Sequence, residues 1–220
     1  MRRWMVLTAA FLCIVFAGQA QATSITMTDE DPQYWGWLKV SYDWGRDGNL
    51  TQKTVGAGRF HTAINYGDYK IDTFSYCVDL GEYFYWDENY VADFQKPEAL
   101  YLEAAWLVSQ FDPFIGSYWS EKPDASEAKT IAMTLQLAIW ETLYKNDFNP
   151  VLLDGTSALY QDMLDSTVNI GSFDGSGFLV AMIDGNQDQL VAAPVPEPAT
   201  MLLMGIGLLG LGVVGRKRLK

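Results

Sequence analysis

The sequence predicts an α+β protein: an antiparallel β-sheet or sandwich with a helical insertion, preceded by an export signal and followed by an apolar C-terminal helix. Three observations predict it. Between Tyr34 and Tyr85, runs rich in aromatic and β-branched residues are separated by turn signals at Asp47-Gly48-Asn49 and Gly67-Asp68. From Pro97 to Asn149-Pro150 the apolar residues recur every three or four positions, the spacing of buried helix faces. Beyond that, Asp174-Gly175-Ser176-Gly177 and Asp184-Gly185-Asn186 bracket a last strand, residues 178–183. Strands, then helices, then a strand describe a sheet interrupted by helices. No internal repeat is present.

Residues 1–22 read as a secretory signal. Arg2 and Arg3 are the basic start, residues 5–17 are apolar, and Ala20-Gln21-Ala22 is a small-residue cleavage site. Leu12 before Cys13 does not suit a lipoprotein signal. The folded domain is then expected over 23–191. Its first strands are Trp35-Gly36-Trp37-Leu38-Lys39-Val40-Ser41-Tyr42 and 58–66. A third runs over 69–80, on which Tyr69, Ile71, Thr73, Ser75 and Cys77 share a face by period two. Pro97 suits the first position of a helix carrying Leu100, Ala104, Leu107, Val108 and Phe111. Asp112-Pro113 stops it. The longest helix is expected over 125–146, with Ala128, Ile131, Ala132, Leu135, Ile139, Thr142 and Leu143 on its buried face. A short helix follows over 156–165. Residues 192–198 are a proline-rich linker. Residues 199–215 are apolar and end in Arg216-Lys217-Arg218-Leu219-Lys220. That run just reaches the roughly 17–25 residues of a spanning helix, and its basic end predicts a cytoplasmic C-terminus.

The chain has 220 residues and a formal charge of −12. Six of its fifteen basic residues lie in the two termini. Residues 23–195 therefore hold nine Lys and Arg against 26 Asp and Glu, a net charge of −17. Such a surface repels nucleic acid and anionic membrane. Of the two cysteines, Cys13 lies in the export signal, so Cys77 is the lone thiol of the mature protein. An unpaired cysteine in an exported protein is a reactive thiol, an intermolecular link or a buried inert side chain.

The end of the chain resembles the PEP-CTERM sorting signal: Pro196-Glu197-Pro198, an apolar span and a terminal basic cluster. The resemblance implies a bacterium of Gram-negative type and an inner-membrane intermediate held by the tail. It also implies tail removal by an exosortase near Pro196, Glu197 and Pro198, then delivery to the cell surface or extracellular matrix. The alternative for the same stretch is an ordinary membrane anchor.

Within the domain, two segments stand out: Tyr76-Cys77-Val78-Asp79 ending a strand, and Leu135-Gln136-Leu137-Ala138-Ile139-Trp140 on the long helix. Gln136 borders the apolar face, where a buried amide finds partners or costs roughly 1–3 kcal/mol. Together the segments resemble the thioester domain of bacterial surface adhesins, which joins an aromatic-Cys-aliphatic motif to a Gln-x-Ala-Ile-Trp motif. The resemblance implies an internal thioester between Cys77 and Gln136, with Trp140 as a shield. It implies a single-turnover covalent binder that passes its acyl group to an amine or hydroxyl of a surface ligand, protein or glycan. Such a protein is not an enzyme and needs no cofactor. The residue types suit the chemistry: a thiolate attacks, a carboxamide supplies the acyl carbon, and enforced proximity can be worth roughly 7–11 kcal/mol.

Two other uses of the pair remain. The bond could serve only as a staple, or Cys77 could be a buried hydrophobe in a non-covalent matrix or adhesive protein. His61, the only histidine, could instead form a hydrolase dyad with Cys77. Metal sites built from several His and Cys are excluded by count. The Asp-Gly turns lack the EF-hand spacing for calcium and are better explained as turns. Trp35, Trp37, Tyr83, Phe84, Tyr85 and Trp86 are candidates for core packing or for stacking on a glycan.

Overall fold

The computed structural model describes residues 23–45, 47–98 and 100–193. The export signal, the Pro196-Glu197-Pro198 motif and the apolar tail lie outside the described residues.

Nine strands and three α-helices are present among them. In chain order they are β1 (Thr23–Thr28), β2 (Tyr34–Tyr42), β3 (Thr51–Tyr66), β4 (Tyr69–Cys77), β5 (Asn89–Val91), β6 (Asp93–Gln95), α1 (Leu100–Phe111), α2 (Ala125–Tyr144), β7 (Phe148–Pro150), α3 (Ser157–Ser166), β8 (Phe178–Met182) and β9 (Gln189–Ala192). All pairings are antiparallel, in the order β5-β1-β3-β4-β9-β8-β6, with β2 between β3 and β7. Only Ala92 separates β5 from β6 in sequence, so the two ends of that path meet and the sheet is nearly a barrel. Ile25, Met27, Ile64, Ala181 and Val191 fill its inside. The helices cover the opposite face through Leu107, Val108, Leu135, Ile139 and Trp140. An α+β fold with a helical insertion is what the alternation of patterns anticipates.

The sixteen-residue strand β3 holds the two parts together. Residues 51–59 pair with β2, and residues 60–66 with β4. Gly58 sits at the changeover with φ +135°, and a Cβ there would run into the backbone of Tyr34 and Trp35. Only glycine allows that approach.

Several boundaries move. The helix expected from Pro97 begins at Leu100. Helix α2 starts as expected, because the Asp124 carboxylate accepts the N–H groups of Ser126 and Glu127 at 2.9 Å. It stops at Tyr144, where Lys145 turns to φ +50°. β3 begins seven residues earlier than its alternation suggests. β1 escaped notice as Thr-Ser-Ile-Thr-Met-Thr, yet Ile25 and Met27 are fully buried. β9 has no counterpart in the sequence pattern, because four residues carry little periodicity, and its last residue, Ala192, falls in the expected linker; it pairs with both β4 and β8. Two of the Asp-Gly turns, at 47–48 and 174–175, are held by carboxylates bonded to the turn backbone. Asp43 accepts from Asp47 and Gly48, and Asp174 from Ser176.

Candidate functional site

Cys77 is the last residue of β4 and is buried. The ladder from β4 to β3 ends at the pair Ser75 and Phe60, because β3 then leaves to pair with β2. The Cys77 peptide is thus left without a strand on that edge. Gln136 fills the gap. Its Oε1 accepts the Cys77 N–H at 2.9 Å and its Nε2 donates to the Cys77 carbonyl at 2.8 Å. The amide acts as a one-residue strand. Two turns further along α2, the Tyr144 hydroxyl accepts the Leu80 N–H at 2.8 Å. Helix α2 thereby grips the backbone on both sides of residues 78–79.

On the other edge β4 meets β9. The Val78 N–H donates to the Asp188 carbonyl at 3.1 Å. That makes 78 and 188 a hydrogen-bonded pair and leaves Cys77 and Gln189, the next register partners, as a non-bonded pair. In such pairs the Cα atoms approach to about 4.5 Å and the side chains stand close on one face. Gln189 is fully buried; its Nε2 lies 3.4 Å from Cys77 Sγ, and its Oε1 accepts the Ser75 hydroxyl at 2.9 Å. Ser75 is in turn 2.8 Å from the Thr62 hydroxyl. The Cys77 thiol donates to Gln187 Oε1 at 2.9 Å, and Gln187 Nε2 donates to the Asp79 carbonyl at 2.5 Å.

The structure therefore brings Cys77 and Gln136 together, but through the Cys77 backbone. The amides whose hydrogen bonds reach the sulfur belong to Gln187 and Gln189. Trp140 is buried one turn beyond Gln136, its ring edge-on to Phe148 at 6.1 Å, with its indole N–H unpartnered. His61 does not approach the sulfur. It is the register partner of Phe74, so the two share a face, and Cys77, three residues on, points to the other. The hydrolase dyad is ruled out on that geometry.

Sequence reasoning missed Gln189, Gln187, Ser75 and Thr62 as site residues. A signal existed: Gln187-Asp188-Gln189 stands directly before Leu190-Val191-Ala192, a polar entry into an apolar strand. Too short to show a period, it falls between the Asp184-Gly185-Asn186 turn and the linker that begins at Ala192.

Burial pushes the Cys77 thiol from 9.0 up to about 12; the Gln189 amide partly offsets this, and Asp79 adds to it. A neutral thiol buried with a raised pKa favours the fold fully below pH 9. That contribution fades as the pH rises towards 12, by at most about 1.4 kcal/mol per pH unit. Urea denaturation of protein with a free Cys77 thiol should thus lose more stability between pH 8 and pH 10.5 than Cys77→Ser does. Equal losses would show that the thiol is solvated.

An aromatic groove of about 190 Å³ reaches Gln187, the acceptor of the Cys77 thiol; Trp35, Trp37, Phe84 and Trp86 wall it, and Glu82 and Gln187 are among its polar groups. The six aromatics singled out in the sequence divide here. Trp35, Phe84 and Trp86 pack around Phe60, whereas Trp37, Tyr83 and Tyr85 are exposed. Among the described residues, no group of His, Cys, Asp and Glu is arranged to hold a metal ion.

Residues 194–218 match the PEP-CTERM protein-sorting motif, the signal of an exported protein sorted to the cell surface. No curated protein matches the chain. Among solved structures, the N-terminal thioester domain of a surface protein from Clostridium perfringens is similar over 79% of this chain and 99% of that one, with a TM-score of 0.45 and 14% sequence identity.

Proposed function

We propose that this exported surface protein is a single-turnover covalent binder. Cys77 forms an internal thioester and passes the acyl group to an amine or hydroxyl of a surface ligand, and the acyl carbon is Cδ of Gln189 rather than Cδ of Gln136. The observation that carries this reading is the buried, non-bonded cross-strand pair, with Gln189 Nε2 at 3.4 Å from Cys77 Sγ. Both polar atoms of Gln136 are already committed to the peptide of Cys77. An amide that left to become a thioester would orphan that peptide in the core.

Sulfur adds to Gln189 Cδ and the carbonyl electrons move onto Oε1. The C–N bond then breaks, and nitrogen leaves as ammonia with the thiol proton. Later a ligand amine or hydroxyl adds to the same carbon, and the C–S bond breaks. Sulfur recovers its proton from the nucleophile. The first step is slow for an isolated amide; enforced contact supplies the drive, and the apolar surround excludes water that would hydrolyse the product. Gln136 and Tyr144 hold the Cys77 segment rigid for it. Trp140 contributes to that dry surround from one turn away. The ligand reaches the carbon along the aromatic groove, whose lining residue Gln187 touches the sulfur. Before delivery, the tail holds the protein in the inner membrane of a Gram-negative type cell until an exosortase cuts near Pro196-Glu197-Pro198.

One observation favours a second reading, a non-covalent matrix or adhesive protein. A thiol held near pH 12 is almost wholly protonated at neutral pH, the state of an inert core cysteine. Intact mass separates the two. The purified protein is expected to be lighter than its sequence by one ammonia. Methylamine should restore a free thiol and leave its label on Gln189, located by peptide mapping. A label on Gln136 would return the acyl donor to the helix, and full mass with a free thiol would leave the non-covalent reading.

A further inference from the structure

Ser75 and Thr62 are polar groups buried in the sheet for which the fold has no evident need. Ser75 is fully buried and Thr62 nearly so. Position 75 is the register partner of Phe60, and 62 that of Thr73. The backbone of each is already satisfied by the ladder, so valine at 62 or alanine at 75 would suit the sheet as well. Their hydroxyls instead form a directed chain. Thr62 Oγ1 is 2.8 Å from Ser75 Oγ, and Ser75 Oγ donates to Gln189 Oε1 at 2.9 Å. Thr62 Oγ1 also lies 3.3 Å from the Phe60 carbonyl; with the Ser75 proton given to Gln189, the Thr62 proton takes the shorter of its two contacts, the one to Ser75. The chain ends on the oxygen that gains charge when Gln189 Cδ becomes tetrahedral.

We infer that Ser75 is a catalytic residue of both acyl-transfer steps, the donor that holds the oxyanion on Gln189 Oε1, and that Thr62 positions it. This rests on Gln189 being the acyl donor. When sulfur adds to Cδ, the carbonyl π electrons localise on Oε1, where the Ser75 O–H already points. Collapse returns them and expels ammonia. When an amine adds later, the same oxygen takes the charge again, and collapse expels sulfur. A donor fixed in a water-free site strengthens as that charge develops and needs no reorganisation. Because Thr62 donates to Ser75, the Ser75 hydroxyl is polarised and held from rotating towards another acceptor. Gln136 cannot take this part, since its amide faces the Cys77 backbone.

The test uses the full chain purified after export, as wild type, Ser75→Ala, Ser75→Thr and Thr62→Val. Two quantities are read: the appearance of the species lighter by one ammonia after synthesis, and the rate at which methylamine frees the thiol. Ser75→Ala should slow both by about 10²–10³-fold, the loss typical of one oxyanion donor. Thr62→Val should slow them by a smaller factor, and Ser75→Thr should restore wild-type rates to within a few-fold. The infrared stretch of the thioester carbonyl should move to higher frequency in Ser75→Ala and, less, in Thr62→Val, a shift that a merely structural role would not produce. If Ser75→Ala does not fold, the rates and band of Thr62→Val decide. Unchanged methylamine rates and an unshifted band, with the wild-type label on Gln189, would overturn the role of Ser75 and leave the thioester intact. A wild type without any thioester, or one labelled at another glutamine, would remove the premise as well.

Discussion

Asp112→Ala is expected to cost the fold about 3–5 kcal/mol, the loss usual when one partner of a buried ion pair is removed. Asp112 is fully buried where α1 ends. One carboxylate oxygen, Oδ2, accepts Arg59 Nε at 3.0 Å and the Tyr76 hydroxyl at 2.9 Å; the other, Oδ1, accepts the N–H groups of Phe114 and Ile115. The Arg59 guanidinium is wedged over the rings of Phe74 and Phe114, at 3.9 and 4.6 Å from their centroids. Without the carboxylate it stays in place as an unpaired charge. The Tyr76 phenol, already pushed well above its ordinary pKa by burial and by Asp112, loses its only acceptor among the described residues. Urea denaturation followed by tryptophan fluorescence measures the loss. Asp112→Asn keeps an acceptor for the two N–H groups and should fall between wild type and alanine. A loss below about 1 kcal/mol for Asp112→Ala would mean that Arg59 escapes to water. Because Tyr76 precedes Cys77, the same substitution should also loosen the reactive strand end.

Gln136→Ala is expected to be nearly as damaging, and it separates two roles for that amide. Removing it strips the Cys77 N–H and C=O of their partners in a site closed to water, at about 1–3 kcal/mol for each group. The cost should appear equally in a Cys77→Ser background, where no thioester can form, because the bonds are to the backbone. In the Cys77 protein, the folded fraction of Gln136→Ala should still be lighter by one ammonia and still take methylamine at Gln189. Loss of the light species with little loss of stability would identify Gln136 as the acyl donor and Gln189 as a bystander. Gln136→Glu sharpens the comparison. It keeps an acceptor for the Cys77 N–H but offers no donor to the carbonyl, and it asks a carboxylate to sit in the core.

A staple between Cys77 and Gln189 would also span more chain than one to Gln136, 112 residues against 59. In the entropy model used for disulfides, loops of these lengths are worth about 4–5 kcal/mol and differ little. Stability alone therefore does not distinguish the two donors, and the site of the label does.

The long helix was legible because twenty residues repeat the same apolar spacing and Asp124 caps their start. Cys77 at a strand end was legible from alternation and from being the one cysteine beyond residue 22. Gln136 was found for a sound reason, a buried amide on an apolar helix face, but its partner group was not. Periodicity reports which side of an element is buried, and not which atom of a neighbour lies there. The amide's use of the Cys77 peptide depends on β3 leaving β4 at Gly58, a departure that is set by pairing with β2 and not by any residue near Gln136. Gln189 was hidden in a strand of four residues, too short for a period-two pattern to rise above a polar linker.

By itself, the amino-acid order determined the acidic charge of the middle of the chain, the sorting motif at its end, the alternation of sheet and helix, and the single cysteine beyond residue 22. Those are properties of composition and of local spacing, which the chain carries before it folds. The tertiary structure alone decided which of three glutamines meets sulfur and which meets backbone. That choice depends on strand register between residues more than a hundred positions apart, where a slip of one residue would turn Gln189 to the opposite face and leave Cys77 beside a different side chain.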